Sequence, residues 1–209
     1  MSATVNMAKD FTHLRDRPPL GERLFRSAAT EEAVRQTAAE IADPELRRMF
    51  CQCLPNTLDT TVYHRIDEDG LPDTFVLTGD VQGMWFRDSA NQVWPYLRFA
   101  AGDEPLRLML AGVIRRQARN LLLDPYANAF NNGRTGEGWP KDNTVMRPEV
   151  HERKYELDSL AAFLRLSGGY WQATRDRLPF DKAWVAAVRA CVDTIRREQD
   201  GFDRQYLSP

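Results

Sequence analysis

The sequence predicts an all-α fold of helical hairpins joined by long loops, with one short β excursion near residues 57–79. Two observations carry this prediction. Apolar residues recur at helical spacing in segments of ordinary helix length, and the clearest stripe is Leu106, Leu110, Val113, Ile114 and Leu121. Stretches rich in Gly, Asn and Pro separate such segments. Periodicity alone leaves two architectures open, a helical bundle and an α/α toroid.

Capping residues mark the first two helices. Residues 1–28 form a polar segment, after which the pattern becomes helical. Thr30 is the expected N-cap of the first helix, and Asp43, followed by Pro44, is the expected N-cap of the second. The second helix is expected to bury one apolar face, formed by Leu46, Met49, Phe50 and Cys53.

The β excursion and the third helix follow. Residues 57–79 contain two β-prone runs, the first beginning near Thr60, around a turn at Glu68-Asp69-Gly70. A helix is expected from Asp88 to Ala101, and Pro95 should kink it or delay its start.

A long irregular stretch divides the second half of the chain. Asp124 to Pro148 is rich in Gly, Asn and Pro, and a loop of this length in a compact domain is usually functional or disordered. Two more helices are expected beyond it, at about 152–167 and 181–199.

The composition is that of a globular protein with a packed core. Of 209 residues, 43% are hydrophobic and 28% are charged, and the formal net charge is −2. These values point to neither nucleic acid nor membrane as a partner. No apolar run is long enough to span a bilayer, and the first residues lack a stretch of signal-peptide type. We therefore expect a cytoplasmic protein.

The cysteines and histidines predict neither a disulfide framework nor a metal site. Cys51 and Cys53 are one residue apart, whereas Cys191 lies far along the chain. We interpret Cys53 as a small core residue on its helix. The three histidines form no ligand pair, so no metal and no cofactor is expected.

Three loop-rich segments combine the side chains that a sugar requires. Residues 78–97, 124–146 and 152–159 are rich in Asp, Asn, Arg, Trp and Tyr. The polar groups suit the fixed directions of pyranose hydroxyls, and the aromatic rings suit the less polar faces of the sugar. Cleavage of a glycosidic bond also needs two carboxyl groups, one as an acid and one as a base or nucleophile.

The same segments have purely structural interpretations. Asp88 fits an N-cap with Arg87 as its partner, and Trp85 and Trp94 fit a core. The charges of 152–156 fit a solvated helix face. The residues alone therefore predict a helical protein with polar-aromatic loops, of which carbohydrate binding is one possible use.

At these segments the sequence resembles glycoside hydrolase family 125. The resemblance runs in order over about residues 17–175 and rests on NTLDTTV (56–62), TFVLTGDVQGMWFRDSANQVWPYL (74–97), DPYANAFN (124–131) and ERKYELDSL (152–160). It implies an (α/α)₆ barrel, with residues 29–209 as the amino-terminal portion of the glycosidase domain and not the whole of it. It also implies a metal-independent, inverting exo-α-1,6-mannosidase whose partner is a mannose-containing oligosaccharide, such as an N-glycan fragment.

The resemblance also implies site residues. It places Arg87 and Asp88 in the pocket that holds the terminal mannose, and the three segments are expected to converge on one end of the fold. The full set of substrate-binding residues implied in this way is Trp85, Arg87, Asp88, Asn128, Asn131, Lys154 and Asp158.

The catalytic residues are not assigned within this chain. The resemblance implies that the general acid and general base both follow the position of Pro209, so the chain alone is expected to be inactive. Two alternatives stay open, a non-catalytic or vestigial glycan-binding fragment and an α/α-toroid glycosidase with another sugar preference. The first is favoured by truncation and by departures from the family pattern at Trp94, Trp139 and Val145, and Phe86 also departs from that pattern.

Overall fold

The structure is a computed structural model that describes residues 17–138 and 144–200. Its α-helices are α1 (Ala28–Glu40), α2 (Pro44–Cys53), α3 (Asn56–Thr60), α4 (Phe86–Val93), α5 (Glu104–Leu123), α6 (Leu157–Thr174) and α7 (Lys182–Asp200). Its strands are β1 (Val62–Ile66), β2 (Pro72–Val76), β3 (Met84–Trp85), β4 (Ala129–Phe130) and β5 (Val150–Glu152). Two 3₁₀ helices span Leu20–Glu22 and Trp94–Gly102. The mostly helical class predicted from the sequence is confirmed.

Side-chain caps set the starts of the first two helices, and one of the two expected caps is wrong. Ser27 caps α1, because its hydroxyl accepts a hydrogen bond of 3.0 Å from the backbone N–H of Thr30. Thr30 therefore lies inside the first turn. Asp43 caps α2 as expected, since its carboxylate accepts from the N–H groups of Glu45 and Leu46.

The apolar face of α2 is not part of the core. Leu46 and Met49 are 52% and 54% exposed, and Cys53 is also exposed. The interpretation of Cys53 as a core residue is therefore wrong. The physical reason is that α2 lies mainly against α1 and α3, and neither helix covers this face.

The predicted β excursion is a hairpin of β1 and β2. The strands are antiparallel, with Val62 opposite Val76 and Ile66 opposite Pro72. Gly70 takes a positive φ of 75° in the connecting turn, a conformation that glycine adopts at no steric cost. The expected strand start at Thr60 is wrong, because this residue ends α3 and its hydroxyl donates back to the carbonyl of Asn56.

Helix α5 is the centre of the core. Its buried residues pack against β2, α6 and α7, and every residue of β2 is buried beneath it. The helix before it changes form at Pro95 as expected: α4 ends at Val93 and the chain continues as a 3₁₀ helix to Gly102.

A second, three-stranded sheet was not predicted. In it β4 pairs antiparallel with both β3 and β5, so that Trp85 lies opposite Ala129 and Ala129 lies opposite Glu152. Helix α6, expected at about residues 152–167, begins only at Leu157, because residues 150–152 belong to this sheet.

Among residues 17–138 and 144–200, no helix combines the length and the apolar character that crossing a bilayer demands.

Asp103 connects the starts of two helices that are distant in sequence. Its carboxylate accepts from the hydroxyl of Ser27 (2.8 Å) and the N–H of Ala29 (3.0 Å) at α1, and from the N–H of Leu106 (3.0 Å) at α5. Burial opposes ionisation, but the hydrogen bonds from Ala29 and Leu106 outweigh it and hold the pKa of Asp103 below its usual range.

We expect Asp103→Ala to lower the free energy of unfolding by about 2 kcal/mol at pH 7, since two helix starts lose an acceptor at once. Because the folded-state pKa is depressed, this contribution is present above the unfolded pKa of about 3.9 and is lost as the pH falls through the folded value. Urea denaturation at pH 7 and at pH 3 measures both effects. Asp43→Ala, which removes the cap of one exposed helix, is the matched control, and an equal loss in both variants at pH 7 would contradict the connecting role of Asp103.

Candidate functional site

The three-stranded sheet brings the three polar-aromatic segments together. The N–H of Phe86 donates to the carbonyl of Asn128 (3.1 Å), and the N–H of Asn128 donates to the carbonyl of Glu152 (3.2 Å). Backbone hydrogen bonds therefore fix the segments around residues 85–88, 128–131 and 152–158 beside one another. The convergence expected from the sequence is found among the described residues.

Glu152 lies at the centre of this arrangement. Its carboxylate accepts from Asn128 Nδ2 (2.6 Å), from Trp85 Nε1 (3.3 Å) and from Lys154 Nζ (2.9 Å). The interpretation of residues 152–156 as a solvated helix face is wrong, since Glu152 ends β5 and its side chain is only 12% exposed. One carboxylate thus holds three of the residues that the family resemblance implied.

The ionisation state of Glu152 limits what it can do. Burial opposes its charged form, but the hydrogen bonds from Lys154 and Asn128 outweigh that effect and keep its pKa below the usual range. A general acid for glycosidic cleavage needs a raised pKa. Glu152 therefore stays a carboxylate at neutral pH and is suited to orienting neighbours or accepting from hydroxyls.

Asn128 and Asn131 lie beneath the surface. Asn128 is fully buried, and its side-chain oxygen accepts from the N–H of Lys154 (3.2 Å). Asn131 is 4% exposed, and its amide group donates to the carbonyls of Glu137 (2.8 Å) and Pro148 (3.0 Å). The side-chain amides of both residues are hydrogen-bonded to other residues of the chain, so their contribution to the site is to hold its loops in place.

The ring of Trp85 is fixed from two sides. It meets His151 edge to face at a centroid distance of 5.4 Å, and a Cβ atom at position 83 would lie 2.9 Å from it, so Gly83 leaves the space that the ring occupies. The oxygen of Asn131 faces His151 Nδ1 at 2.8 Å, which assigns the proton to Nδ1 as the donor. Burial lowers the pKa of His151, so the ring behind Trp85 is neutral at pH 7.

Arg87 joins three carboxylates at the edge of the sheet. Its guanidinium donates to Asp158 (3.0 Å) and Glu156 (3.3 Å) and lies 3.6 Å from Asp88. The hydrogen bond with Asp158 leads the effects that raise the pKa of Arg87. The cluster is open, because the side chain of Asp158 is 56% exposed. With three carboxylates around one guanidinium, the cluster has more hydrogen-bond acceptors than Arg87 alone can occupy.

The interpretation of Asp88 as an N-cap is wrong. Helix α4 begins at Phe86, with Trp85 in the capping position, so Asp88 already lies within the first turn. The Arg87–Asp88 pair survives only as a contact of 3.6 Å in the charged cluster.

The positions that depart from the family pattern lie in different surroundings. Trp94 carries the guanidinium of Arg165 3.9 Å above its ring, and Phe86 packs edge to face on Phe130 in the core. Val145 is 88% exposed. Trp139 lies outside the residues that the structure describes.

Comparison with known proteins defines the class. Residues 43–207 match the family model of the metal-independent alpha-mannosidases (GH125). The chain is 38% identical over 205 residues to the meiotically up-regulated gene 157 protein of Schizosaccharomyces pombe, covering 92% of this chain and 40% of that protein. It also resembles a solved metal-independent α-mannosidase of Streptococcus pneumoniae, with a TM-score of 0.76 and 38% identity over 85% of this chain and 41% of that one.

These similarities establish a glycoside hydrolase family. The chain belongs to the metal-independent alpha-mannosidase family GH125, since the family model matches well over half of its residues. It spans about two fifths of the length of the two relatives, 40% and 41% respectively. The Streptococcus pneumoniae protein was solved in a non-productive complex with α-1,6-mannobiose.

Proposed function

We propose that this chain supplies the sugar-holding face of an inverting exo-α-1,6-mannosidase. The observation that carries the proposal is the meeting of Trp85, Glu152 and the Arg87 cluster at one sheet edge, in a chain of the GH125 family. The relative solved with α-1,6-mannobiose supports the choice of sugar and linkage.

Each part of this face meets one requirement of a mannose unit. The partly exposed ring of Trp85 offers a flat surface to the less polar side of a pyranose. Arg87, Asp88 and Asp158 offer a donor and several acceptors to the hydroxyls. Lys154 adds a cation that Glu152 orients, while Asn128 and Asn131 hold the backbone beneath.

The arrangement of the helices supports a larger proposal for the architecture. Helices α4, α5, α6 and α7 pack on one another in sequence-adjacent or near-adjacent pairs, as helical hairpins do. In an (α/α)₆ barrel, such hairpins form a ring with the connecting loops at one end. We assign the sheet β3–β4–β5 to that end.

The test is the affinity of the 209-residue chain for α-1,6-mannobiose, measured by calorimetry. We expect Arg87→Ala to weaken binding about tenfold or more, because loss of a charged hydrogen-bonding partner typically costs about 1.5–3 kcal/mol. Arg189→Ala removes an exposed arginine from α7 and is the matched control. We expect it to leave the affinity unchanged.

Three results would decide against parts of this proposal. Equal affinity for α-1,6- and α-1,2-mannobiose would exclude the linkage preference. Unchanged affinity in a folded Arg87→Ala variant would make the charged cluster structural. Binding of mannobiose by the whole protein without release of mannose, followed by chromatography, would favour the glycan-binding alternative over the enzyme.

A further inference from the structure

A polar residue interrupts the apolar stripe of α5. Leu110, Ile114 and Leu121 recur at helical spacing, and the position between the last two on the same face is held by Gln117. All four side chains are fully buried. Glutamine is seldom found in a core, because an amide that leaves water costs free energy unless new hydrogen bonds replace those it loses. The place of Gln117 must therefore be explained by its hydrogen bonds.

The side-chain amide of Gln117 is directed to the first turn of α4. Its Nε2 donates to the carbonyl of Phe86 (3.2 Å) and to the hydroxyl of Ser89 (3.0 Å), and Ser89 Oγ donates in turn to the carbonyl of Trp85 (2.5 Å). Since a carbonyl can only accept, the amide has to present its NH₂ group to α4. Among the residues that the structure describes, none donates to the amide oxygen. The hydrogen bonds that Gln117 makes in the core are thus donated to α4.

These bonds hold the two peptide groups that join Trp85 to Arg87. The carbonyl of Trp85 belongs to the peptide before Phe86, and the carbonyl of Phe86 belongs to the peptide before Arg87. Because each peptide is planar, fixing its carbonyl fixes the backbone from which the neighbouring side chains project. Gln117 therefore acts on both site residues from within the core, and it is itself too deeply buried to contact a sugar.

The start of α4 depends on such support because its capping residue is Trp85. Tryptophan has no side-chain oxygen, so it cannot accept from the first N–H groups of the helix as Ser or Asp would. The N–H of Trp85 donates to the hydroxyl of Thr78 (3.0 Å), and that of Phe86 donates to the carbonyl of Asn128 (3.1 Å). Thr78 and Asn128 thus hold the N–H groups of this turn, and Gln117, from α5, holds its carbonyls.

From this arrangement we propose that Gln117 is a positioning residue of the sugar-holding face, acting through the first turn of α4 on Trp85 and Arg87. Ser89 and the carbonyl of Phe86 are the groups through which it acts. The inference rests on the function proposed for that face. It implies that the affinity for a mannose unit depends on a side chain that the sugar does not touch.

The test separates affinity from stability, with α-1,6-mannobiose as the probe in calorimetry on the 209-residue chain. Gln117→Met keeps a long, unbranched side chain and removes both donors. The carbonyl of Phe86 keeps its partner in the helical ladder and Ser89 still donates to Trp85, so the midpoint of thermal unfolding should stay within about 3 °C. We expect the affinity to fall about threefold to tenfold, the range that one net hydrogen bond represents.

A second readout follows Trp85 itself. In a proton–nitrogen correlation NMR spectrum, the indole N–H of Trp85, which donates to Glu152 (3.3 Å), is identified by its loss in Trp85→Phe. We expect Gln117→Met to shift or broaden this signal. The indole N–H of Trp184, which donates to Ser167 (3.0 Å), is the internal control and should be unchanged. A merely structural role for Gln117 would lower stability without singling out Trp85.

Three further variants test the route and the specificity of the effect. Ser89→Ala breaks the same chain of bonds one step on, and combining it with Gln117→Met should weaken binding by at most about twofold more than either change alone, because both act on the same carbonyls. Leu110→Met alters another buried side chain of α5 and is the matched control, with no expected effect on affinity. Asp103→Ala should lower stability and leave affinity unchanged.

The possible failures are distinguishable. If Arg87→Ala weakens binding but folded Gln117→Met binds as tightly as the unaltered chain, or leaves the Trp85 signal in place, the positioning role is overturned and the function proposed for the face stands. If Asp103→Ala weakens binding as much as Gln117→Met does, loss of stability explains the effect and the positioning role is again overturned. If the unaltered chain does not bind α-1,6-mannobiose, the proposed function falls and this inference falls with it.

Discussion

Asp73→Ala is expected to lower the free energy of unfolding by about 3–5 kcal/mol, one of the largest losses that a single substitution should cause in this chain. Arg116 is 8% exposed, and without Asp73 its buried charge loses the carboxylate it pairs with while Arg65 and Arg119 still repel it. Urea denaturation at pH 7 measures the loss. Glu32→Ala breaks an exposed ion pair on α1 and should leave the stability unchanged within error.

The origin of this loss can be tested with a second substitution and with pH. If the unpaired charge is responsible, adding Arg116→Met to Asp73→Ala should recover much of the stability, since an apolar replacement of a buried pair is often nearly neutral. Burial opposes ionisation of Asp73, but Arg116 and Arg119 outweigh it and lower its pKa. Its contribution is therefore present above the unfolded pKa and is lost as the pH falls through the folded value. A loss in Asp73→Ala no larger than in Glu32→Ala would refute this account.

Gly112→Ala is expected to destabilise the fold by about 1–3 kcal/mol, whereas Gly168→Ala should stabilise it by about 0.5–1 kcal/mol. Both are glycines within helices, α5 and α6. A Cβ atom at position 112 would lie 2.3 Å from Thr74 Oγ1 and 3.0 Å from its backbone nitrogen, but at position 168 it would meet nothing within 4 Å. The opposite signs follow from packing against β2 in one case and from helix propensity in the other.

Thr74 cannot easily move out of the way of such a Cβ atom. Its hydroxyl donates to the carbonyl of Met109 (2.8 Å) and is 2.8 Å from His64 Nδ1, so rotation of the side chain breaks both contacts. Thermal and urea denaturation of the two alanine variants measure the contrast. If both substitutions changed the free energy of unfolding in the same direction, α5 would be able to move away from β2 and this interface would not be closely packed.

The sequence was informative where a local pattern decides the structure. Four predicted features depend only on neighbouring residues, and all four are found in the structure. They are the apolar stripe of α5, the Asp43-Pro44 cap of α2, the turn at Gly70 and the break at Pro95. The local sequence could not show that Ser27, and not Thr30, caps α1. Ser27 also donates to Asp103, a partner distant in sequence that holds it in the capping position.

The site was less predictable because short strands carry no periodic signal. Strands β3 and β4 have two residues each and β5 has three, too few for an alternation to be visible. Without them, Glu152 looked like one more charge at the start of a helix. Its clustering with Arg153, Lys154 and Glu156 was visible, but only the pairing of β5 with β4 shows that it turns inward to Asn128 and Trp85.

The three-stranded sheet also has a consequence for the order of folding. Each helix and the β1–β2 hairpin form through backbone hydrogen bonds between residues near in sequence, whereas β3 pairs with β4 across the whole of α5 and β4 pairs with β5 across the irregular segment between them. Closing such loops costs chain entropy before the pairing returns any free energy. Four residue pairings cannot offset that cost until α4, α5 and α6 already hold the ends of these segments in place. We therefore expect the face that carries Trp85 and Arg87 to be among the last parts of the chain to become ordered, so that a collapsed intermediate with its helices formed would lack the proposed sugar-holding face.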